Sequence, residues 1–457
     1  MTESAAPQPP TPDDKIDFRR VLPVIFIVFI DLMGLTILIP ILAYYAIAFD
    51  ASPFTVGLLL ATYPLMQFIG GPILGSLSDR FGRKPVLAVA QVGTFLSLLM
   101  LGFANSLWML FLARTLDGIT GANLPTAQAA VTDITTSKNR SQGLGLIGAA
   151  FGVGFVFGPA LSGAALTLSG NDYSAPAFMA SGFAFISILL TVFVFQETLP
   201  PEKRGQPGRQ QRGLLAFGRM WEGLRKPAIG ILFLIIFLQQ VIFGAFQSMF
   251  SPFTLTRLGL NSVGNTVLFV YIGVLLAATQ GGAIGPLTKR FGERNLIFAG
   301  LGLIAIGLFG MGLTPEIPVP WYQRAALIEE LQTQTGGQIA LTQVDLLPPE
   351  EGLGIWGLVL IMLSQTPLAI GIGLLQPSLN SLITQRVDKM EVGAALGLSA
   401  AFLSLANVIG PLWGGAVFDF VAPAAPFLIG GVLSAAVLVL ARRRIAPIPA
   451  TEAQGAT

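Results

Sequence analysis

Long apolar runs separated by short polar turns set the rhythm of this chain. Hydropathy places twelve such runs, at about residues 21–46, 56–78, 85–104, 107–132, 143–168, 176–195, 229–251, 263–287, 295–313, 354–384, 393–418 and 426–441. Most reach the ~20 residues that carry a helix across the hydrocarbon of a bilayer, and the longer ones predict tilt or extension beyond it. Between the sixth and seventh runs lies 196–228, rich in Arg, Lys, Gln, Gly and Pro, and expected to be a solvated connector. It divides the chain into a first half, 21–195, and a second, 229–441, with polar tails at 1–20 and 442–457. Spans 9 and 10 are separated by a second polar stretch, 314–353, expected to act as a passive spacer, with a gating lid as the alternative. Within it, residues 321–334 have the pattern of a short amphipathic helix at the membrane interface.

The turn after span 2 is short and crowded with charge. Residues 75–87 read GSLSDRFGRKPVL, and the same frame returns 210 positions later at 285–297 as GPLTKRFGERNLI. Gly75, Leu77, Arg80, Phe81 and Gly82 recur as Gly285, Leu287, Arg290, Phe291 and Gly292. Glycine supplies the turn freedom that a tight reversal between two membrane-length helices needs. A second landmark, Gly158-Pro159 in span 5, recurs as Gly410-Pro411 in span 11, 252 positions on. The chain is therefore read as a duplication whose second copy has gained 42 residues, which locates the insertion at 314–353.

Composition agrees with the pattern. The chain is 53% hydrophobic and 11% charged, against roughly 25% charged in a soluble domain, so an integral membrane protein is expected. With the N-terminus inside, all of the 26 Lys and Arg residues except Arg114, Arg257 and Arg324 fall on the cytoplasmic side. The positive-inside rule then puts both termini in the cytoplasm, with the cell membrane as the expected location. Residues 1–20 are polar and Pro-rich, without a basic n-region, so they read as a disordered tail, and Val21 onward as a retained span. Cysteine is absent, which excludes disulfides, thiolate metal sites and thiol redox chemistry. Histidine is absent too, so any proton chemistry falls on carboxylates. No nucleophile–base pair, metal cluster or phosphate loop points to an enzyme, a metal or a cofactor. The basic residues follow topology rather than a nucleic-acid surface.

Ionisable groups inside spans cost about 2.5–3.5 kcal/mol each at mid-helix, so each is a functional candidate. Asp31 lies about ten residues into span 1, with Gly34 and Pro40 loosening the helix beyond it. It suits the uptake and release of a proton or the attraction of a cationic solute; a structural partner for an arginine is the alternative. Arg114 and Asp117 stand three apart on span 4, so they share a face and can pair, either as coupling residues or as a static ion pair. Span 5 carries Gly148, Gly152, Gly154, Gly158, Pro159 and Gly163, a spacing that permits close helix contact. For solute contact the candidates are Gln91 on span 3, Gln239, Gln240, Phe243, Phe246, Gln247 and Phe250 on span 7, and Gln365, Gln376 and Asn380 on span 10. Gln280 and Asn407 add polar points. Amides beside phenyl rings suit an amphiphilic small molecule, although each alone also suits an interhelical hydrogen bond or a lipid-facing ring.

Gly75, Asp79, Arg80, Gly82, Arg83 and Lys84 resemble the conserved cytoplasmic-loop motif of the major facilitator superfamily. Arg114, Gly118 and Gly121, in LARTLDGITGA, resemble the family's span-4 motif, and Gly154, Gly158, Pro159 and Gly163 resemble the span-5 motif of its antiporter branches. The resemblance implies an all-α membrane fold of twelve transmembrane helices in two pseudo-symmetric six-helix bundles, with binding at their interface near the midplane. It further implies proton coupling through Arg114, for which Asp31 and Asp117 are the candidate carboxylates. Asp79, Arg80, Arg83, Lys84, Asp133, Gly154, Gly158 and Pro159 would be gating residues. In that scheme Asp133 pairs with Arg83, and Asp79 holds the N-terminus of span 11, where a negative charge suits the helix dipole. The tetracycline-resistance and multidrug exporter branch is the nearest likeness, implying proton-driven export of amphiphilic drugs by alternating access, with a monomer as the simplest working unit. Spans 3 and 9 depart from tetracycline exporters, since neither contains Asp or Glu; a neutral or cationic lipophile fits as well as tetracycline. A facilitator or importer of a small metabolite is the rival reading, and a non-transporting membrane scaffold or sensor a more distant one.

Overall fold

A computed structural model describes residues 18–121, 123–135, 139–205, 216–226, 229–334, 346–387 and 391–445. Residues 1–17 of the expected N-terminal tail, part of the insertion and most of the C-terminal tail lie outside the described residues, and residues 18–20 of that tail belong to the first helix. Regular structure within them is helical throughout. Span 1 comprises Phe18–Leu38 and Leu42–Ala48, broken at Pro40; span 2 is Pro53–Phe81, span 3 Arg83–Gly102, and span 4 the pair Leu107–Thr120 and Asn123–Ile134. Span 5 is Arg140–Ser169 and span 6 Ser174–Phe193. In the second half, span 7 is Gly230–Leu258, and span 8 begins as Ser262–Ala278. Span 9 ends at Gly312, span 10 is Trp356–Gln385, span 11 Val392–Phe420 and span 12 Ala425–Arg444.

Local chemistry explains several of these limits. Ser52 caps span 2, its Oγ accepting from Thr55 N with Pro53 in the first turn, and Asn261 caps span 8 in the same way through Gly264 N. Both devices satisfy amides that a helix start leaves unbonded. Ten helical stretches among the described residues are long and apolar enough to cross a membrane. One of them, Ser262–Gly312, is 51 residues long and leaves helical geometry at Gly292 (φ 74°, ψ 157°), where spans 8 and 9 were expected to meet. Gly82, 210 positions earlier, takes nearly the same conformation between spans 2 and 3 (φ 108°, ψ 163°). The sequence repeat is thus a repeat of backbone shape. Expected span 4 falls short of a continuous crossing because Gly121 interrupts it, leaving helices of 14 and 12 residues.

Helix pairing repeats between the halves. Span 1 packs on 5 and 6, 3 on 6, and 4 on 2 and 3; span 7 packs on 11 and 12, 9 on 12, and 10 on 8 and 9. Across the halves, span 2 meets 11 and span 5 meets 8, the exchange that a pseudo-twofold axis requires. Large apolar side chains such as Val89, Ile306 and Leu363 stay more than half exposed, as helices facing lipid rather than water demand. The connector is more than a solvated strand of chain. Its helix Ala216–Arg225 buries Met220 and sets Gly223 against Leu398 and Phe233, docking on spans 7 and 11. The insertion forms the helix Arg324–Thr333, with Leu327 and Leu331 buried.

Candidate functional site

The first half gathers its intramembrane charges around one cluster. Asp31 comes from the unbroken part of span 1, and its Oδ2 is buried without a hydrogen-bond partner. Gln91 of span 3 and Ser187 of span 6 stand against its carboxyl, and these two bond each other through Gln91 Nε2 at 2.8 Å, leaving Gln91 Oε1 unpaired. Asp117 lies close enough to Asp31 for the two carboxylates to repel. Arg114 answers Asp117: its Nη2 reaches Asp117 Oδ2 at 2.8 Å, and both side chains are almost fully buried. The guanidinium also lies 5.5 Å from the centre of the Tyr63 ring, while Nε has no partner. Span 2 supports this arrangement. Gln67 donates to the Gly121 carbonyl at 2.6 Å and to Tyr63 Oη at 3.1 Å. That bond satisfies the carbonyl freed where span 4 breaks, and Gly118 lets span 2 approach through Tyr63 and Met66. Among the described residues, Asp117 therefore has its cation, while Asp31 has the neutral dipoles of Gln91 and Ser187.

The second half offers amides instead. Gln365 on span 10 is completely buried, with neither amide atom bonded. Gln239 Oε1, Gln376 Nε2 and Asn380 Oδ1 are likewise buried without partners. Gln240 is occupied, donating to Asn407 Oδ1 of span 11 at 2.7 Å. Buried amides lacking partners cost free energy unless something else bonds them. Phe246 and Phe250 belong elsewhere. They stack in the core with Phe427 and Phe269, at centroid distances of 5.5 Å from each other, 6.5 Å and 5.1 Å, and are 3% and 0% exposed. Phe243 and Gln247 on the same helix remain half-buried.

At the basic end a latch joins spans 2, 3 and 4. Arg83 is 4% exposed; its Nη2 reaches Asp79 at 2.8 Å, Nε reaches Asp133 at 2.9 Å, and Nη1 donates to Ser78 Oγ at 2.9 Å. Glu197, after span 6, accepts from the backbone amides of Arg83 and Lys84 at 2.9 and 3.1 Å. A carboxylate there favours the positive end of span 3. Lys84 Nζ donates to the Val192 carbonyl, and exposed Arg80 lies over Phe81. Asp79 is thus held by Arg83 within its own half, not at the N-terminus of span 11. The second copy inverts the charges: Lys289 and Glu293 replace Asp79 and Arg83, and Gln385 stands where the repeat puts Asp133. Glu293 Oε1 accepts from Gln385 Nε2 at 2.7 Å and Ser381 Oγ at 3.0 Å.

The two halves touch at the end that carries the insertion. A Cβ on Gly57 would fall on the Pro411 carbonyl, and one on Gly415 would lie 2.8 Å from the Pro53 carbonyl. Thr266 sits against Gly163, and Gly273 against Phe155. The break in span 1 turns the Pro40 carbonyl toward the other half, where Asn265 Nδ2 and Ser251 Oγ donate to it at 3.2 and 3.4 Å. Toward the basic end the same four helices stand clear. A Cβ at Gly71, Gly75, Gly145, Gly148, Gly281, Gly282, Gly285, Gly393 or Gly397 would meet nothing within 4 Å. Span 8 also carries a π-helical turn, Thr279–Ala283, partway along; such turns interrupt the helical ladder and concentrate at functional sites.

Residues 24–342 match the family model described as Major Facilitator Superfamily. The chain belongs to that family. It is 29% identical to the class C tetracycline resistance protein of Escherichia coli, over 84% of this chain and 85% of the relative. The class B protein of the same organism is 34% identical over 61% of this chain and 68% of the relative. Multidrug resistance protein 2 of Bacillus subtilis (strain 168) is 25% identical over 86% and 87%. Among solved structures the fold is shared with the human organic anion transporter MFSD10 (TM-score 0.64, 21% identity, 94% of this chain and 100% of that one). It is also shared with the nucleoside transporter NupG (TM-score 0.69, 12% identity, 93% and 100%). The protein is a transporter related to tetracycline- and multidrug-resistance proteins and not an enzyme.

Within this transporter fold the expected gating residues separate into two groups. Arg83, Asp79 and Asp133 form one network, whereas Gly154 and Gly158 face span 1: Thr36 Oγ1 donates to the Gly154 carbonyl at 2.9 Å, and a Cβ on Gly158 would strike Thr36. Pro159 lies on the same helix beyond them. Sequence reasoning missed Tyr63, Gln67, Ser187 and Glu197. The first three read as ordinary polar residues on apolar helices, and their role appears only when spans 2, 3, 4 and 6 converge. Glu197 sat in a charged connector, where a capping carboxylate leaves no periodic signal.

Proposed function

We propose that the protein exports amphiphilic drugs in exchange for protons, by rocking its two halves about the interface between spans 2 and 11 and spans 5 and 8. The reading rests on one observation above the rest: Asp31, a carboxylate inside span 1 whose Oδ2 is buried without a partner, beside an Asp117 that Arg114 has already neutralised. A carboxylate left without a cation can bind a proton or a cationic solute, and binding one excludes the other. That competition is the minimum an antiporter needs. The names of the tetracycline- and multidrug-resistance relatives support the direction and the solute class. The partnerless amides of Gln239, Gln365, Gln376 and Asn380 supply hydrogen bonds from the second half, with Gln240, Phe243 and Gln247 on span 7 beside Gln239, and Gln91 of span 3 contributes from the first half beside Asp31. The basic end is cytoplasmic in this reading, so the described conformation is open to the cytoplasm. Both termini lie inside, the membrane is the cell membrane, and the monomer is the transporting unit.

The test is Asp31→Asn in proteoliposomes supplied from outside with a lipophilic cation such as ethidium. The variant is expected to fold and insert normally yet to lose accumulation driven by an imposed pH gradient. Full gradient-driven accumulation by Asp31→Asn would reject the assignment. Arg114→Lys separates coupling from packing: a lysine keeps the charge but not the planar contacts to Asp117 and Tyr63. A drop in coupled flux of at least tenfold at unchanged expression is expected.

A further inference from the structure

The 314–353 insertion was expected to be a spacer, but its helix reaches across the molecule. Glu330 is buried and accepts four hydrogen bonds from two halves of the protein. Ser262, at the start of span 8, donates through Oγ at 2.7 Å and N at 3.3 Å. Tyr173, between spans 5 and 6 of the first half, donates through Oη at 2.8 Å, and Asn171 through Nδ2 at 3.1 Å. One turn further along the same helix face, Gln334 accepts from Tyr173 N and donates to the Asn171 carbonyl, both at 2.9 Å. Asn171 holds a left-handed conformation (φ 67°) that presents its carbonyl and side chain together. Tyr173 is itself fixed. It is 0% exposed and lies edge-on to Tyr44 and Tyr45 at 6.3 and 6.0 Å. Burial, and then the adjacent Glu330 carboxylate, push its phenol well above its ordinary value, so it remains a donor.

We propose that the insertion helix Arg324–Thr333 is a clasp: Glu330 and Gln334 tie the second half to the 171–173 turn of the first, and the clasp must release before the insertion end can open. This rests on the alternating-access reading but not on the nature of the solute or on coupling. Nothing in the internal repeat supplies such a contact, because the first half has no counterpart of the insertion. The clasp therefore acts on one side only. It stabilises the conformation open at the basic end and slows the return of an empty transporter to the other.

The experiment uses the natural absence of cysteine. Spin labels on Trp108→Cys and Trp356→Cys, exposed residues of the two halves at the insertion end, report their separation by electron–electron resonance in lipid nanodiscs. Tyr173→Phe and Glu330→Gln are each expected to raise the fraction of long distances relative to short about tenfold, the effect of losing a charge-assisted hydrogen bond. Gln334→Ala should give a smaller rise. Gly57→Val, which obstructs closure directly, calibrates the long distance. If Gly57→Val lengthens the separation while Tyr173→Phe, Glu330→Gln and Gln334→Ala leave it at the wild-type value, the clasp is overturned. Tyr173→Phe keeps ring and packing, so it decides the matter even where Glu330→Gln fails to fold. A separation that no variant changes, Gly57→Val included, would overturn alternating access and the clasp with it.

Discussion

Arg83 shows what single residues contribute here. Its guanidinium is shared among Asp79, Asp133 and Ser78 and is almost shut off from solvent. Arg83→Gln would remove the cation that the half-buried Asp79 and Asp133 share, at a cost on the order of 2 kcal/mol. Thermal unfolding in detergent should show it as a clearly lowered midpoint, while exposed Arg80→Gln should stay within about 0.5 kcal/mol. The pairing of Arg83 with Asp133, and of Arg114 with Asp117, was legible in the sequence because spacing and motif fix both. The position of Asp79 was not. Its partner depends on whether spans 2 and 11 meet at the basic end, and that is a property of the conformation rather than of the residues. The role of Asp31 lay between these cases: the sequence shows an intramembrane carboxylate, but only the fold shows that Gln91 and Ser187 stand against it.

At the scale of helices, small residues decide where the halves can touch. Gly57 and Gly415 bring spans 2 and 11 into backbone contact at the insertion end. Gly57→Val should hinder that closure, increasing labelling of cysteines at insertion-end positions by a membrane-impermeant maleimide; unchanged labelling would show that the contact is not limiting. Gly148→Val, on the face of span 5 that stands clear, should leave the conformation seen here undisturbed. The glycine motifs were visible in the sequence, but their partners were not. Gly154 and Gly158 face span 1, while Gly163 faces span 8, because helical rotation sends residues of one motif to different neighbours. The break in span 4 and the connector helix were also missed. The first is masked because hydropathy averages across Gly121 into one run over 107–132, and the second is an amphipathic segment too short and too charged to register beside membrane spans.

For the whole molecule, the duplication read from residues 75–87 and 285–297 is the feature that carried furthest, since it returned as matching turns at Gly82 and Gly292 and as matching helix pairs. Where the repeat fails, the halves have specialised. The first keeps the charges Asp31, Arg114 and Asp117, whereas the second has Val241, Thr366 and Ala369 at the equivalent positions, inverts the latch and adds the insertion. Such asymmetry suits a machine in which one half handles the proton and both meet the solute. The decisive measurement records proton and solute together. In sealed proteoliposomes carrying a pH indicator and no imposed pH gradient, an ethidium gradient should drive protons in the opposite direction, with the signal abolished by Asp31→Asn. Ethidium crossing through the wild-type protein with no accompanying proton movement would contradict the account.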